Sequence, residues 1–112
     1  MRMFIYPTST NPNDKEIKNL RKIILDSLSN DASTWKKLNR SIEIEPNVRL
    51  PLFTHIKSQY QNEPVYFRYT DDSVILKFEI DEDENSKSMI IGMLTYYLRY
   101  NLSDDIRKIE IK

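Results

Sequence analysis

The chain has 112 residues with no cysteine, one histidine and one glycine, and its 17 basic and 17 acidic side chains leave no net charge. This inventory excludes a disulfide scaffold and a glycine-rich phosphate loop, and it holds too few His and Cys for a transition-metal site. A Cys–His or Ser–His–acid catalytic set is equally hard to assemble. The sequence therefore predicts one domain over residues 1–112, with no enzymatic activity, no metal and no cofactor.

No segment of the chain predicts export or membrane insertion. Residues 1–6 are too short for a signal peptide, and the longest apolar run, residues 89–94, is far shorter than a membrane span. We therefore expect a cytoplasmic protein with no membrane partner. Charge is unevenly distributed, because residues 1–40 hold eight basic and four acidic side chains, whereas residues 71–85 hold one basic and seven acidic.

The first forty residues predict a strand and a helix. Residues 1–6 favour a short strand that stops at Pro7. Asn13 and Glu16 have the spacing of a capping box, which predicts a helix from about residue 14 to 29. Its apolar positions recur at helical spacing: Ile17, Leu20, Ile24 and Leu28.

The next segment predicts one strand between two short helical pieces. Residues 31–40 favour a helical turn that carries Trp35 and Leu38, and residues 41–45 alternate apolar and charged side chains as a half-buried strand does. Pro51 suits the first turn of a short helix. That helix would bury Leu52, Phe53, Ile56 and Tyr60.

Residues 64–80 predict a β-hairpin with its turn at residues 71–72. In this register the apolar side chains of both strands fall on one face, as a hairpin register must show. The predicted cross-strand pairs are Tyr69 with Val74, Phe67 with Leu76, and Val65 with Phe78.

The last part of the chain predicts a helix at residues 86–101 and a closing edge strand at residues 106–112. Together the elements predict an α+β fold in two layers. It would have one mixed or antiparallel sheet of about four to five strands, with about two to three helices packed on one face.

The helix at residues 86–101 has an unusually wide apolar surface. A helix packed on a sheet needs an apolar stripe of about 100°, and this one offers about twice that. The surplus forms one edge made of Met89, Met93, Tyr96 and Tyr100. Because Tyr and Met are enriched at interfaces, the edge predicts contact with a partner or a second subunit. The alternative is that neighbouring helices of the same domain cover it.

The acidic residues before this helix resemble the start of a calcium-binding EF-hand loop, but the match fails. Ser86 stands where the loop needs glycine, and Gly92 stands where it needs a bidentate glutamate. Negative charges at a helix start are explained by the helix dipole. These acids could also attract a basic partner: Asp81, Glu82, Asp83 and Glu84.

Two further groups suggest other functions. A basic helix face and a Tyr/Arg/Lys face of the hairpin could bind nucleic acid. The residues are Lys15, Lys18, Arg21, Lys22, Tyr66, Arg68 and Lys77. The zero net charge argues against this alternative. A hydrolytic or metal-assisted site would need Glu43, Glu45 and His55 to converge in one pocket.

The sequence therefore favours a small protein-binding protein that acts through the Tyr/Met edge and the adjacent acids. Its partner would be another protein or a second copy of itself. Inhibitor, immunity protein, antitoxin, phage or mobile-element accessory factor and complex subunit are all consistent with this class. Nucleic-acid binding is the alternative.

Overall fold

A computed structural model describes residues 1–57, 63–80 and 84–112 of the chain. The elements follow in the order β1 (Met3–Pro7), α1 (Asp14–Leu28), β2 (Trp35–Glu45), β3 (Val48–His55), β4 (Val65–Tyr69), β5 (Val74–Phe78), α2 (Glu84–Asn101) and β6 (Ile106–Ile111). Four residues with predicted roles, Tyr60, Asp81, Glu82 and Asp83, lie outside the described residues.

The six described strands form one antiparallel sheet in the order β2-β3-β4-β5-β1-β6. The predicted α+β class is confirmed, with one strand more than expected and two described helices. The N-terminal strand β1 is central, since it pairs with β5 on one side and with the closing strand β6 on the other.

The two short helical pieces predicted around residues 31–40 and after Pro51 are wrong. Residues 35–40 and 51–55 instead belong to the long β2–β3 hairpin, in which Trp35 pairs with His55. Next to the Ser41–Pro51 pair, three residues of β2 face one residue of β3, so the strands form a bulge there. Cross-strand pairing thus overrides the local preference that suggested helix.

Both helices pack on one face of the sheet, which we call the helix face. The predicted hairpin register is confirmed, and it places Val65, Phe67, Val74 and Leu76 on this face. The α1 cap is also confirmed, since the Asn13 side chain accepts a hydrogen bond from the Glu16 N–H at 2.9 Å. The helices contribute these buried residues: Ile17, Leu20, Ile24, Leu28, Ile90, Ile91, Leu94 and Leu98.

The opposite face of the sheet, the second face, is tied to the β2–β3 hairpin by ion pairs. Arg68 of β4 lies 3.7 Å from Glu45, and Arg40 makes a bidentate contact with Glu79. The Glu79 partner raises the pKa of Arg40, and the Arg40 partner lowers the pKa of Glu79. Ile75, which pairs with Phe4 and Arg68, is buried on this face.

Neither described helix is long and apolar enough to cross a membrane.

Candidate functional site

Helix α2 uses one side for the core and leaves another side in solvent. Its core side carries Ile90, Ile91, Leu94 and Leu98, which are buried against the sheet. Among the residues that the structure describes, none covers the opposite edge: Met89 is 53% exposed, Tyr96 73% and Tyr100 76%. Met93 is half-buried and packs against the core. We call the four residues Met89, Met93, Tyr96 and Tyr100 the α2 edge.

The two most exposed side chains of the α2 edge are organised by helix geometry. Residues four apart lie one above the other on a helix, so the rings of Tyr96 and Tyr100 stack with centroids 6.1 Å apart and planes 12° apart. The pair forms a flat aromatic projection. Tyrosine combines a large apolar ring with a polar tip, which suits it to a surface that is buried only when a partner binds.

A cleft of about 590 Å³ lies beside the α2 edge. It is bounded by α2, the loop before β2, and the end of the β2–β3 hairpin where Trp35 pairs with His55. Its lining residues are Ala32, Thr34, Trp35, His55, Gly92, Met93, Tyr96, Tyr97, Tyr100 and Asn101. No Asp, Glu, Lys or Arg is among them, so the cleft favours an uncharged, aromatic or apolar group.

The floor of the cleft is formed by Trp35 and His55. Their rings meet edge to face with centroids 5.3 Å apart, and His55 is 7% exposed. The backbone N–H of Lys57 donates to His55 Nδ1 at 3.1 Å. Burial, and then the nearby charge of Lys57, lowers the pKa of His55, so the ring is neutral at pH 7. The floor therefore adds no positive charge to the cleft.

Tyr97 links α2 to α1 beside the cleft. Its hydroxyl donates to the Ser27 carbonyl at 3.0 Å and also lies 2.9 Å from Ser27 Oγ, which joins α2 to the end of α1. Gly92 faces the cleft one turn earlier. None of the described atoms lies within 4 Å of the place a Cβ would take there, so the backbone of α2 is open to close approach.

Of the four acidic residues predicted to belong to the partner site, only Glu84 lies in the described part of the chain. Glu84 begins α2, where its carboxylate accepts from Lys87 Nζ at 3.0 Å and lies 3.8 Å from the Met1 amino group. Tyr100 is sixteen residues further along the helix, about 24 Å at the usual rise. The structure thus gathers Met93, Tyr96 and Tyr100 at the cleft and places Glu84 at the far end of α2.

The residues predicted to bind nucleic acid are divided between two sides of the protein. Lys15, Lys18 and Lys22 are exposed on α1, which covers the helix face. Arg21 is engaged by the sheet, since its Nε donates to the Phe67 carbonyl at 2.9 Å and its guanidinium lies 5.4 Å from the centre of the Tyr69 ring. The other three predicted residues, Tyr66, Arg68 and Lys77, lie on the second face.

The hydrolytic hypothesis required three side chains that the structure keeps apart. Glu43 pairs with Arg49 at 3.2 Å, and Glu45 lies 3.7 Å from Arg68. His55 pairs with Trp35, whereas Glu43 pairs with Arg49, six residues from His55 along β3, a strand length of about 20 Å. Within residues 1–57, 63–80 and 84–112 no group of three His, Asp or Glu is placed to hold a metal ion.

The sequence predicted Met93, Tyr96 and Tyr100 as binding residues, and all three line the cleft. It did not predict that Trp35 and His55 form the floor of the cleft. Trp35 and His55 are twenty residues apart, and no periodic pattern connects them before β2 and β3 are paired. The sequence shows one tryptophan and one histidine, but nothing in it predicts that their side chains are in contact.

The chain matches no protein-family model, no curated protein and no solved structure. Its described part defines an α+β domain with a six-stranded antiparallel sheet and an uncharged aromatic cleft at one edge of α2.

Proposed function

We propose that this chain is a non-enzymatic protein-binding protein that docks its partner on the α2 edge and the adjoining cleft. The observation that carries the proposal is the exposure of Tyr96 and Tyr100, at 73% and 76%, as a stacked pair beside an uncharged recess. A projecting aromatic pair next to a pocket is the usual form of an interface hot spot.

The energetics favour burial of this edge by a partner. Each tyrosine can bury about 150–250 Å² of surface, and truncation of a central aromatic typically costs about 2 kcal/mol or more of binding free energy. The two rings are stacked on each other, so they present one continuous aromatic surface to a partner. The inhibitor, immunity, antitoxin, accessory-factor and complex-subunit roles named above all require such a surface.

Nucleic-acid binding gains no support from the arrangement of its residues. The exposed lysines of α1 and the Tyr66, Arg68 and Lys77 group lie on opposite sides of the sheet, so one strand could not contact both. Arg21 and Arg68 already hold protein partners.

The test uses the double substitution Tyr96→Ala with Tyr100→Ala. Tagged chain would capture its partner from an extract of the cells that produce it, and the double substitution should weaken that capture by at least about 30-fold, the equivalent of a 2 kcal/mol hot spot. Both rings are mainly in solvent, so the circular dichroism spectrum and the unfolding temperature should stay close to those of the unsubstituted chain.

The matched control is Lys18→Ala with Lys22→Ala. This pair has the same four-residue spacing on an exposed helix face, but it lies on α1. It should leave capture unchanged. Equal capture by the edge variant, or unfolding of that variant, would contradict the proposal, because the rings would then be irrelevant to binding or part of the core.

A further inference from the structure

We propose that the partner on the α2 edge is a second copy of this chain, an inference that rests on the proposed function. The two copies would pack their α2 helices antiparallel about a two-fold axis. In this arrangement each methionine of one edge lies opposite a tyrosine of the other, and Tyr96 of each copy meets Met93 of its mate, one of the residues that line the cleft.

The spacing of the edge is the first reason. Met89, Met93, Tyr96 and Tyr100 follow one another at intervals of four, three and four, so the series has the same spacing in either direction. An antiparallel two-fold axis therefore brings Met89 of one copy opposite Tyr100 of the other, and Met93 opposite Tyr96. Each of these pairs occurs twice in the dimer. Sulfur–aromatic contacts are favourable, and a two-fold interface requires a patch that complements itself in this way.

The shape of the surface is the second reason. A self-complementary patch needs a projection and a recess side by side, and here the stacked Tyr96–Tyr100 pair adjoins the cleft of about 590 Å³. Gly92 lies between Met89 and Met93 near the same edge. Since no described atom lies within 4 Å of its missing Cβ, a second helix can approach the α2 backbone closely at this point.

Charge is the third reason. The four residues of the α2 edge are uncharged, the cleft is lined without Asp, Glu, Lys or Arg, and His55 on its floor is neutral at pH 7. Two identical surfaces can therefore meet without repulsion between like charges, and the whole chain has no net charge that would keep copies apart. A partner selected by charge would instead require charged groups at this surface.

The available area is smaller than that of a standard interface and predicts a weak dimer. The exposed parts of Tyr96 and Tyr100 supply about 300 Å² per copy, and a standard interface buries about 800 Å² per partner. Met89, which is half exposed, and the walls of the cleft supply more. An interface of this size predicts an equilibrium between monomer and dimer that depends on protein concentration.

Sedimentation equilibrium over a concentration series measures this equilibrium. The unsubstituted chain should move from the monomer mass of 13.4 kDa towards twice that mass as its concentration rises. The chain with Tyr96→Ala and Tyr100→Ala should stay at the monomer mass with an unchanged circular dichroism spectrum. The chain with Lys18→Ala and Lys22→Ala should follow the unsubstituted protein.

Cysteine cross-linking tests the antiparallel arrangement, because the chain has no cysteine of its own. A chain with Met89→Cys, mixed with a chain with Tyr100→Cys and oxidised, should form a disulfide-linked dimer on a non-reducing gel. Each variant alone should not, since the same residue in the two copies would lie about 16 Å apart along the helix axes. Arg99→Cys, on the polar side of α2, is the matched control for Tyr100→Cys.

The outcomes separate this inference from the proposed function. A chain that stays monomeric at every concentration, or cross-linking of each cysteine variant alone to the same extent as of the mixture, overturns the antiparallel dimer. If the double tyrosine variant then loses a different protein in the capture experiment, the proposed function stands with another partner. If capture is also unaffected, both proposals fail.

Discussion

His55 shows how the fold sets the chemical state of one side chain in the cleft. It is the single histidine of the chain, and it is enclosed by the edge of Trp35 and by the Lys57 backbone, whose N–H donates to Nδ1. That hydrogen bond is possible only when Nδ1 carries no proton, so the neutral ring carries its proton on Nε2. The side chain thus serves as an uncharged wall of the cleft.

The lowered pKa of His55 makes a testable prediction about stability. The unfolded chain binds a proton at His55 near the ordinary pKa of 6.5, whereas the folded chain binds it only at lower pH. The contribution of His55 to the free energy of unfolding is therefore fully present above pH 6.5, and it is lost as the pH falls towards the lowered pKa. Urea unfolding across this range should show the decline.

The control for this pH dependence is His55→Gln, which should remove that part of the decline that lies just below pH 6.5. Since no other histidine contributes, proton NMR of the ring gives the pKa directly. A ring that titrates at or above 6.5 in the folded protein would show the prediction to be wrong.

Glu110, on the second face, also has a lowered pKa, but here because its charged form is stabilised. Its carboxylate lies 2.7 Å from Lys112 Nζ, accepts from the Tyr6 hydroxyl at 3.1 Å, and lies 3.4 Å from Lys108 Nζ. The Lys112 contact foremost, with those of Tyr6 and Lys108, lowers the pKa of Glu110 to about 2. The two lysine contacts lie within the C-terminal segment and are largely in solvent, so they add little to stability. The Tyr6 hydroxyl is the side-chain contact of this group that joins β1 to β6.

One side of helix α2 packs in the core of the fold, and the opposite side is exposed to solvent. Its buried side chains belong to the core, whereas Met89, Tyr96 and Tyr100 face solvent. Tyr97 lies between these sides and joins α2 to α1 through Ser27. The contact with Ser27 and the packing of the buried side chains together position the α2 edge relative to the cleft.

Tyr97→Phe tests that contact, because it removes the hydroxyl and keeps the ring. Loss of the hydrogen bonds to Ser27 should lower the free energy of unfolding by about 1 kcal/mol, measured by urea unfolding. Tyr96→Phe is the matched control, since its side chain is 73% exposed, and it should change stability far less. Equal effects of the two substitutions would refute the role assigned to Tyr97.

On the described part of the protein, the charged surfaces lie apart from the uncharged α2 edge and its cleft. Basic side chains lie on α1, ion pairs connect the hairpin to the second face, and Glu84 with Lys87 marks the start of α2. The α2 edge and its cleft hold none of these groups. Association through that edge should consequently respond to salt differently from association through the charged surfaces.

We predict that self-association of the chain is insensitive to salt. Screening weakens contacts between charges, and the Debye length falls from about 10 Å at 0.1 M to about 3 Å at 1 M salt. An interface of tyrosine, methionine and glycine should keep its dimer fraction over this range, measured by light scattering after size exclusion. Dissociation at high salt would instead indicate that the basic α1 face and the acidic segments form the contact.

Local patterns in the sequence determined the elements whose contacts are close along the chain. The Asn13–Glu16 cap, the hairpin register from Val65 to Phe78 and the wide apolar surface of α2 each follow from spacing within about twenty residues. The edge of Tyr96 and Tyr100 was visible for the same reason, since helical periodicity reveals which side chains exceed the needs of the core.

Only the tertiary structure decided how those elements meet. It extended the predicted strand at residues 41–45 to Trp35, placed β1 between β5 and β6, and moved the two sets of basic residues to opposite sides of the sheet. It also brought Trp35 and His55 together beneath Tyr96, which created the cleft. Pairings of this kind join residues that are distant in sequence, and the free energy of burial that selects them depends on the whole core, so no local period records them.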